Sequence, residues 1–149
     1  MYCRFLSVAV LVLGLASCSP AADFHTNQEQ QLRWQDLQGE YVIVNYFAEW
    51  CAPCLRELPE LNEFHHAHSD KAQLFGVSFD GLNNQELAAL QQEYDIQFPL
   101  ILNQPVPQLP FATPQMLPAT YVITPDGEVK GPLLGEQTEA SLLRAISAD

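Results

Sequence analysis

The stretch YFAEWCAPCLRELPEL, Tyr46 to Leu61, sets Cys51 and Cys54 two residues apart, between an aromatic, β-branched run and an amphipathic one. Upstream, Tyr41 to Phe47 is rich in Val, Ile, Tyr and Phe, which predicts a buried strand. Downstream, Leu55, Leu58, Leu61 and Phe64 recur every three residues, close enough to helical spacing to bury one face of a helix beginning at Pro53. Pro59, inside that helix, removes a backbone donor and predicts a bend. Cys51 therefore falls at a strand-to-helix junction.

Such a pair can be a structural staple, a metal clamp or a reagent. At a helix N-terminus the sulfur of Cys51 faces unpaired backbone N–H groups and the positive end of the dipole, which lowers a thiol pKa to somewhere in the range of about 3.5–7.5. Pro53 suits the first turn, where its missing N–H would go unpaired anyway. Cys54, one turn on, is placed to attack a mixed disulfide formed at Cys51. This arrangement favours a reagent, with zinc on the pair and a plain structural disulfide as the alternatives. His65, His66 and His68 follow on the same helix, but eleven residues from Cys54 to His65 is about 16 Å along the axis, whereas zinc holds its ligands within about 2.0–2.3 Å. One ion cannot take both ends. A separate histidine site at the helix C-terminus stands beside the plainer reading of solvated imidazoles at the negative end of the dipole.

The whole chain has 149 residues, 48% of them hydrophobic, which suits one domain with a single core. Six Lys and Arg stand against 18 Asp and Glu, a formal charge of −12, and this excludes nucleic acid as a partner, since phosphate must be met by clustered cations. The acidic residues are spread along the chain and read as a solvated surface.

The first stretch reads as a processing segment. MYCRFLSVAVLVLGLASC, residues 1–18, has Arg4 in a short n-region, an apolar run from Phe5 to Ala16, and small residues before Cys18. That run is too short to span a bilayer as a helix. Its ending, LASC, looks like a bacterial lipobox, which makes residues 1–17 a signal peptide and Cys18 the lipidated first residue, anchored without a spanning helix. An ordinary cleaved signal peptide is the alternative. Ser19 resembles outer-membrane sorting. Residues 18–30 then form the lipidated N-terminus and a polar tether, and residues 31–149 the domain. Cys3 leaves with the signal and Cys18 is acylated, so the domain keeps one thiol pair, too few for a disulfide-stapled miniprotein.

Beyond the helix, Ala72 to Phe79 predicts a second core strand and Asn83 to Tyr94 a helix capped by Asn83 or Asn84. Strand, helix, strand implies parallel pairing. Phe98 to Leu102 reads as a short third strand. Gln104 to Pro118 is a proline-rich loop, long enough to be suspect unless functional. ATYVI, then the turn TPDG, then EVKGPLL form a hairpin whose second strand lies at an edge because of Pro132, and a closing helix follows with Thr138 as N-cap.

VNYFAEWCAPC, followed by LRELPEL and later by LPATYVITPDGEV, resembles the thioredoxin superfamily and within it the TlpA/ResA-like periplasmic thiol–disulfide oxidoreductases, from about Leu32 to Ile146. The resemblance implies an α/β, thioredoxin-like fold, a central mixed β-sheet flanked by helices. It implies Cys51 as the attacking thiol, Cys54 as the resolving thiol, and Pro118 as a cis proline packed beside them, which proline makes chemically accessible. The chain departs from the cytosolic pattern at Asn45, six residues before Cys51, where a buried Asp would serve as base. An amide cannot take a proton, and Asp80, after the next strand, is the candidate replacement. Glu49 is a candidate for tuning the site and Trp50 for a substrate-facing lid. Phe111 and Met116 are candidates for an apolar lip.

The expected activity is reduction of disulfides in periplasmic proteins, with a membrane thiol donor of the DsbD type regenerating the dithiol, in a monomer that needs no cofactor and no metal. No nucleotide, flavin or haem motif is evident. A periplasmic oxidase or isomerase is the nearest alternative, although no helical insertion or dimerisation segment accompanies the motif. A metallochaperone-type binding module is the alternative from another class.

Overall fold

The computed structural model describes residues 21–147. Within them the chain opens on a small antiparallel hairpin, β1 (Phe24–His25) and β2 (Gln31–Leu32), and passes a 3₁₀ turn at Trp34–Leu37 into strand β3 (Tyr41–Phe47). Helix α1 (Ala52–His68), strand β4 (Ala72–Ser78) and helix α2 (Asn84–Glu93) follow; strands β5 (Ala119–Ile123) and β6 (Val129–Leu134) and helix α3 (Glu139–Ser147) complete the order. The main sheet runs β4-β3-β5-β6, with β3 and β4 parallel and the other pairs antiparallel. This is the central mixed sheet flanked by helices that the sequence predicts. The signal peptide at residues 1–17, Cys18 and Ser19 lie outside the described residues.

β3 is the buried centre of the sheet, and its alternation feeds two cores. Ile43 and Phe47 face a layer built with Leu58, Leu61 and Phe64 of α1, Leu87 and Leu90 of α2, and Leu142 and Ile146 of α3. Val42, Val44 and Tyr46 face the opposite layer with Phe75, Val77, Tyr121 and Ile101. Asn45, odd-numbered like Ile43 and Phe47, lies in the alternation on the side of α1, fully buried.

Helix ends follow their sequence signals. Asn83 caps α2 through its side chain, which accepts from the amides of Gln85 and Glu86, while the carboxylate of Glu86 accepts from the amide of Asn83. The Thr138 hydroxyl accepts from the amide of Ser141 at the start of α3. α1 runs uninterrupted through the exposed Pro59. β6, with Pro132, is an edge strand as expected.

Two expectations need correction. Residues 18–30 do not all form a tether: Phe24 is 1% exposed, its ring 4.7 Å from that of Trp34 and 5.4 Å from that of Phe75, and the amide of Asn27 donates to the carbonyl of Leu100 at 2.9 Å. An apolar ring in a polar stretch found a place on the second core, so the folded unit starts before residue 31. Phe98 to Leu102 is not a strand but carries two isolated bridges, Gly76 to Leu100 and Thr26 to Ile101. Pro99 has no amide to donate, and the remaining groups divide between β4 and the N-terminal segment, as in the bond from the amide of Leu102 to the carbonyl of His25. The close approach needs a glycine: a Cβ at Gly76 would come within 2.6 Å of Leu100 Cδ2 and 2.9 Å of Phe98 Cε2.

Candidate active site

β3 ends at Phe47, and after the three residues Ala48 to Trp50, Cys51 becomes the N-cap of α1, its Sγ accepting from the amide of Cys54 at 3.3 Å. That amide is one of the orphan donors of the helix start, so the sulfur sits where partial positive charge is concentrated. Pro53 occupies the first turn. Cys51 and Cys54 are joined as a disulfide, with Cα atoms 5.2 Å apart, and both are buried. Pairing of Tyr46 with Ala119 and of Asn45 with Thr120 brings Pro118 to the same end of the sheet. The Leu117–Pro118 bond is cis, as expected, and the buried proline's carbonyl accepts from the amide of Gly135 at 3.0 Å.

Trp50 is 65% exposed, yet its ring is fixed. The indole N–H donates to both carboxylate oxygens of Asp80 at 3.0 Å, and the ring meets Phe79 edge-on at 6.2 Å between centroids. Asp80 is exposed and holds the indole, whereas Cys54 is buried. Glu49, the residue before Trp50, is exposed and shares a hydrogen bond with the hydroxyl of Tyr94.

The buried acid is Glu57, which sequence reasoning missed. It lies three residues beyond Cys54, on the same face of α1, and is 1% exposed. Its Oε1 accepts from Asn45 Nδ2 at 2.8 Å and its Oε2 from the amide of Gln137 at 2.7 Å. Burial pushes the carboxyl up to about 7, the neighbouring Glu136 adds to the rise, and the two hydrogen bonds work against it. Asn45 also donates to Thr120 Oγ1 at 3.0 Å, and its own Oδ1 is buried without a partner. The one available signal was position: an acid at i+3 from Cys54 shares its face of the helix. A carboxyl that titrates near neutrality, one turn from a resolving thiol, can take that thiol's proton.

The remaining candidates separate. Phe111 stacks on Tyr121 at 4.1 Å and belongs to the second core, whereas Met116 is 60% exposed. The proline-rich loop carrying both is tied down by the indole of Trp34, which donates to the carbonyl of Gln108 at 2.7 Å, and by the hydroxyl of Tyr121, which donates to the carbonyl of Ala112 at 2.9 Å. His68 pairs with Glu139 at 2.6 Å and His66 meets Gln97, so these imidazoles bind neighbouring elements rather than one another. Among the described residues no group of three or more His, Cys, Asp or Glu is placed to hold a metal ion.

A mixed sheet with a Cys–x–x–Cys disulfide capping its first long helix and a cis proline at the same end of the sheet defines a thioredoxin-like protein. The model of the AhpC/TSA family matches residues 18–131, so the chain belongs to that family, as a ResA/TlpA-like member of the thioredoxin superfamily. It is 28% identical over 117 residues to the thiol-disulfide oxidoreductase ResA of Bacillus cereus, covering 76% of this chain and 65% of that protein. It is 24% identical over 141 residues to the thioredoxin-like protein YneN of Bacillus subtilis, covering 92% of this chain and 82% of that protein. The chain thus spans somewhat less than two thirds of that ResA. Among solved structures, the pneumococcal exposed lipoprotein thioredoxin Etrx1 of Streptococcus pneumoniae superposes with a TM-score of 0.72 at 18% identity, covering 85% of this chain and 97% of that one.

Proposed function

We propose that the chain is a thiol–disulfide oxidoreductase that reduces protein disulfides. The observation that carries this reading is the Cys51–Cys54 pair at the N-terminus of α1, one turn ahead of the buried carboxyl of Glu57. In the cycle, the Cys51 thiolate attacks one sulfur of the client disulfide, forming a mixed disulfide and releasing the first client thiolate. Cys54 gives its proton to Glu57 and attacks Cys51 Sγ, closing the intramolecular disulfide and releasing the second client thiolate. Two electrons pass from the protein to the client. Pro118 packs beside the pair and Trp50 forms the wall next to Cys51.

The same proposal places the protein on the periplasmic side of a bacterial membrane as a monomer. Residues 1–17 are its signal peptide, Cys18 its lipid anchor and Ser19 the cue for the outer membrane; a membrane thiol donor of the DsbD type regenerates the dithiol. What supports this is the LASC sequence before the cysteine and a structural relative described as an exposed lipoprotein thioredoxin. The test is the redox equilibrium of the pair in the full chain in detergent, poised in dithiothreitol or glutathione buffers and read by alkylation. A potential near about −270 mV makes the protein an electron donor and sustains the reductase; one near about −120 mV makes it an oxidant and reverses the direction.

A further inference from the structure

Among the described residues five large apolar side chains stand exposed: Trp50, Phe79, Val106, Met116 and Leu134. Each is tied to the disulfide end of the sheet. Trp50 adjoins Cys51 and packs on Phe79; Met116 lies two residues before Pro118; Leu134 pairs with Ala119, the residue after it. Val106 and Phe79 line a cavity of about 400 Å³ together with Tyr46 and Phe111. Met116 and Leu134 line a second cavity, of about 340 Å³, with Pro132 and Tyr121. Thr113 borders both, and no charged residue lines either. Contiguous exposed apolar surface of this kind marks an interaction site.

Its rim carries one sign of charge. Asp80 sits in the chain between Phe79 and Gly81 of the first cavity, the exposed Glu49 precedes Trp50 in the chain, and no lysine or arginine pairs with either among the described residues. The neighbouring cation, Arg56, is already held by Glu136. In an extended chain the side chains two before and two after a given residue share its face, each about 7 Å away. A half-cystine presented to Cys51 in that conformation directs those two side chains to either side of it.

We propose that this surface selects extended, cationic client segments: large apolar side chains two residues before and two after the client half-cystine fill the two cavities, and an adjoining lysine or arginine meets Asp80 and Glu49. The inference rests on the exchange reading of the Cys51–Cys54 pair. The reduced full chain, in detergent, is mixed with nonapeptides carrying one cysteine as its mixed disulfide with mercaptoethanol. One peptide has Phe at both positions and Lys at both ends; the others replace Phe by Ser or Lys by Glu. Every rate is divided by that of the same protein with bis(2-hydroxyethyl) disulfide, which is small and neutral.

The Lys peptide is expected to react about tenfold faster than the Glu peptide at low salt, with the ratio falling toward unity near 1 M salt as screening shortens to about 3 Å. Glu49→Lys is expected to narrow or invert that order. Replacing both Phe residues is expected to slow the reaction about tenfold or more, in line with an apolar side chain's burial free energy of about 1.5–3 kcal/mol. A protein that leaves bis(2-hydroxyethyl) disulfide intact overturns the exchange reading, and this inference with it. One that reduces it but lacks either preference, apolar or cationic, overturns the inference alone.

Discussion

Asn45 Nδ2 donates to Glu57 Oε1 across 2.8 Å, and both side chains are sealed from solvent between the central strand and the first long helix. An amide thus stands where it can hold a carboxylate but cannot replace it. Glu57 is the one carboxyl buried among the described residues, and the proposed cycle gives it the proton of Cys54. Glu57→Gln is therefore expected to slow resolution of a Cys51 mixed disulfide by about 100-fold, the usual range for loss of a general base. In the parent protein the resolution rate should rise as pH passes about 7, when Glu57 ionises, and this inflection should vanish in the variant. Single-turnover release of the second client thiol measures it; an unchanged profile removes Glu57 from the proton path.

The same carboxyl links stability to pH. Its folded pKa, about 7, exceeds the ordinary value of 4.5, so the folded protein holds a proton that the unfolded chain has already released. Its contribution is complete below pH 4.5 and declines as pH rises to 7, a loss of roughly 3 kcal/mol by alkaline pH. Urea denaturation of the oxidised protein between pH 4.5 and 8.5 should show the parent losing stability relative to Glu57→Gln as pH increases. Parallel profiles for the two proteins would show that burial does not perturb Glu57.

Trp50 and Asp80 illustrate an exposed pair with a positioning role. Removing the acceptor in Asp80→Ala should shift the Trp50 indole N–H resonance upfield, while the Trp34 resonance, whose donor bonds the Gln108 carbonyl, stays in place. Global stability should change by no more than about 0.5 kcal/mol, since the site is at the surface. A proton–nitrogen correlation spectrum of the variant reads both indoles at once. An unmoved Trp50 signal would mean that Phe79 alone fixes the ring.

Much of this architecture is legible in the sequence because it depends on local pattern. Tyr41 to Phe47 reads as a buried strand, and Leu58, Leu61 and Phe64 as a buried helical face, from composition and period alone. Asn83 and Thr138 announce their caps by chemistry. Glu57 was not legible: within LRELPEL it alternates with exposed charges such as Arg56 and Glu60, and only the arrival of Asn45 and of the amide of Gln137, 80 residues on, marks it as buried. The bond of Asp80 to Trp50 was not legible either, since it joins residues 30 apart and is a product of the tertiary fold. The bridges made by Gly76 and Leu100 likewise depend on a glycine whose missing Cβ admits a neighbouring segment.

Phe24 offers the sharpest test of where the domain begins. In PAADFHTNQEQ it is a lone aromatic among polar residues, and a lone apolar residue in such a stretch carries no periodic signal. In the fold it is 1% exposed and lies against Trp34 and Phe75. Truncating a ring so enclosed removes its transfer free energy and leaves a cavity, so Phe24→Ala should destabilise the protein by about 3–5 kcal/mol. A solvated tether would register almost nothing. Because the packing lies on the face of the sheet opposite α1, the loss should appear in equilibrium urea denaturation, while the reduction potential of Cys51–Cys54 holds wherever the protein remains folded. A Phe24→Ala protein as stable as its parent would return residues 21–30 to the tether.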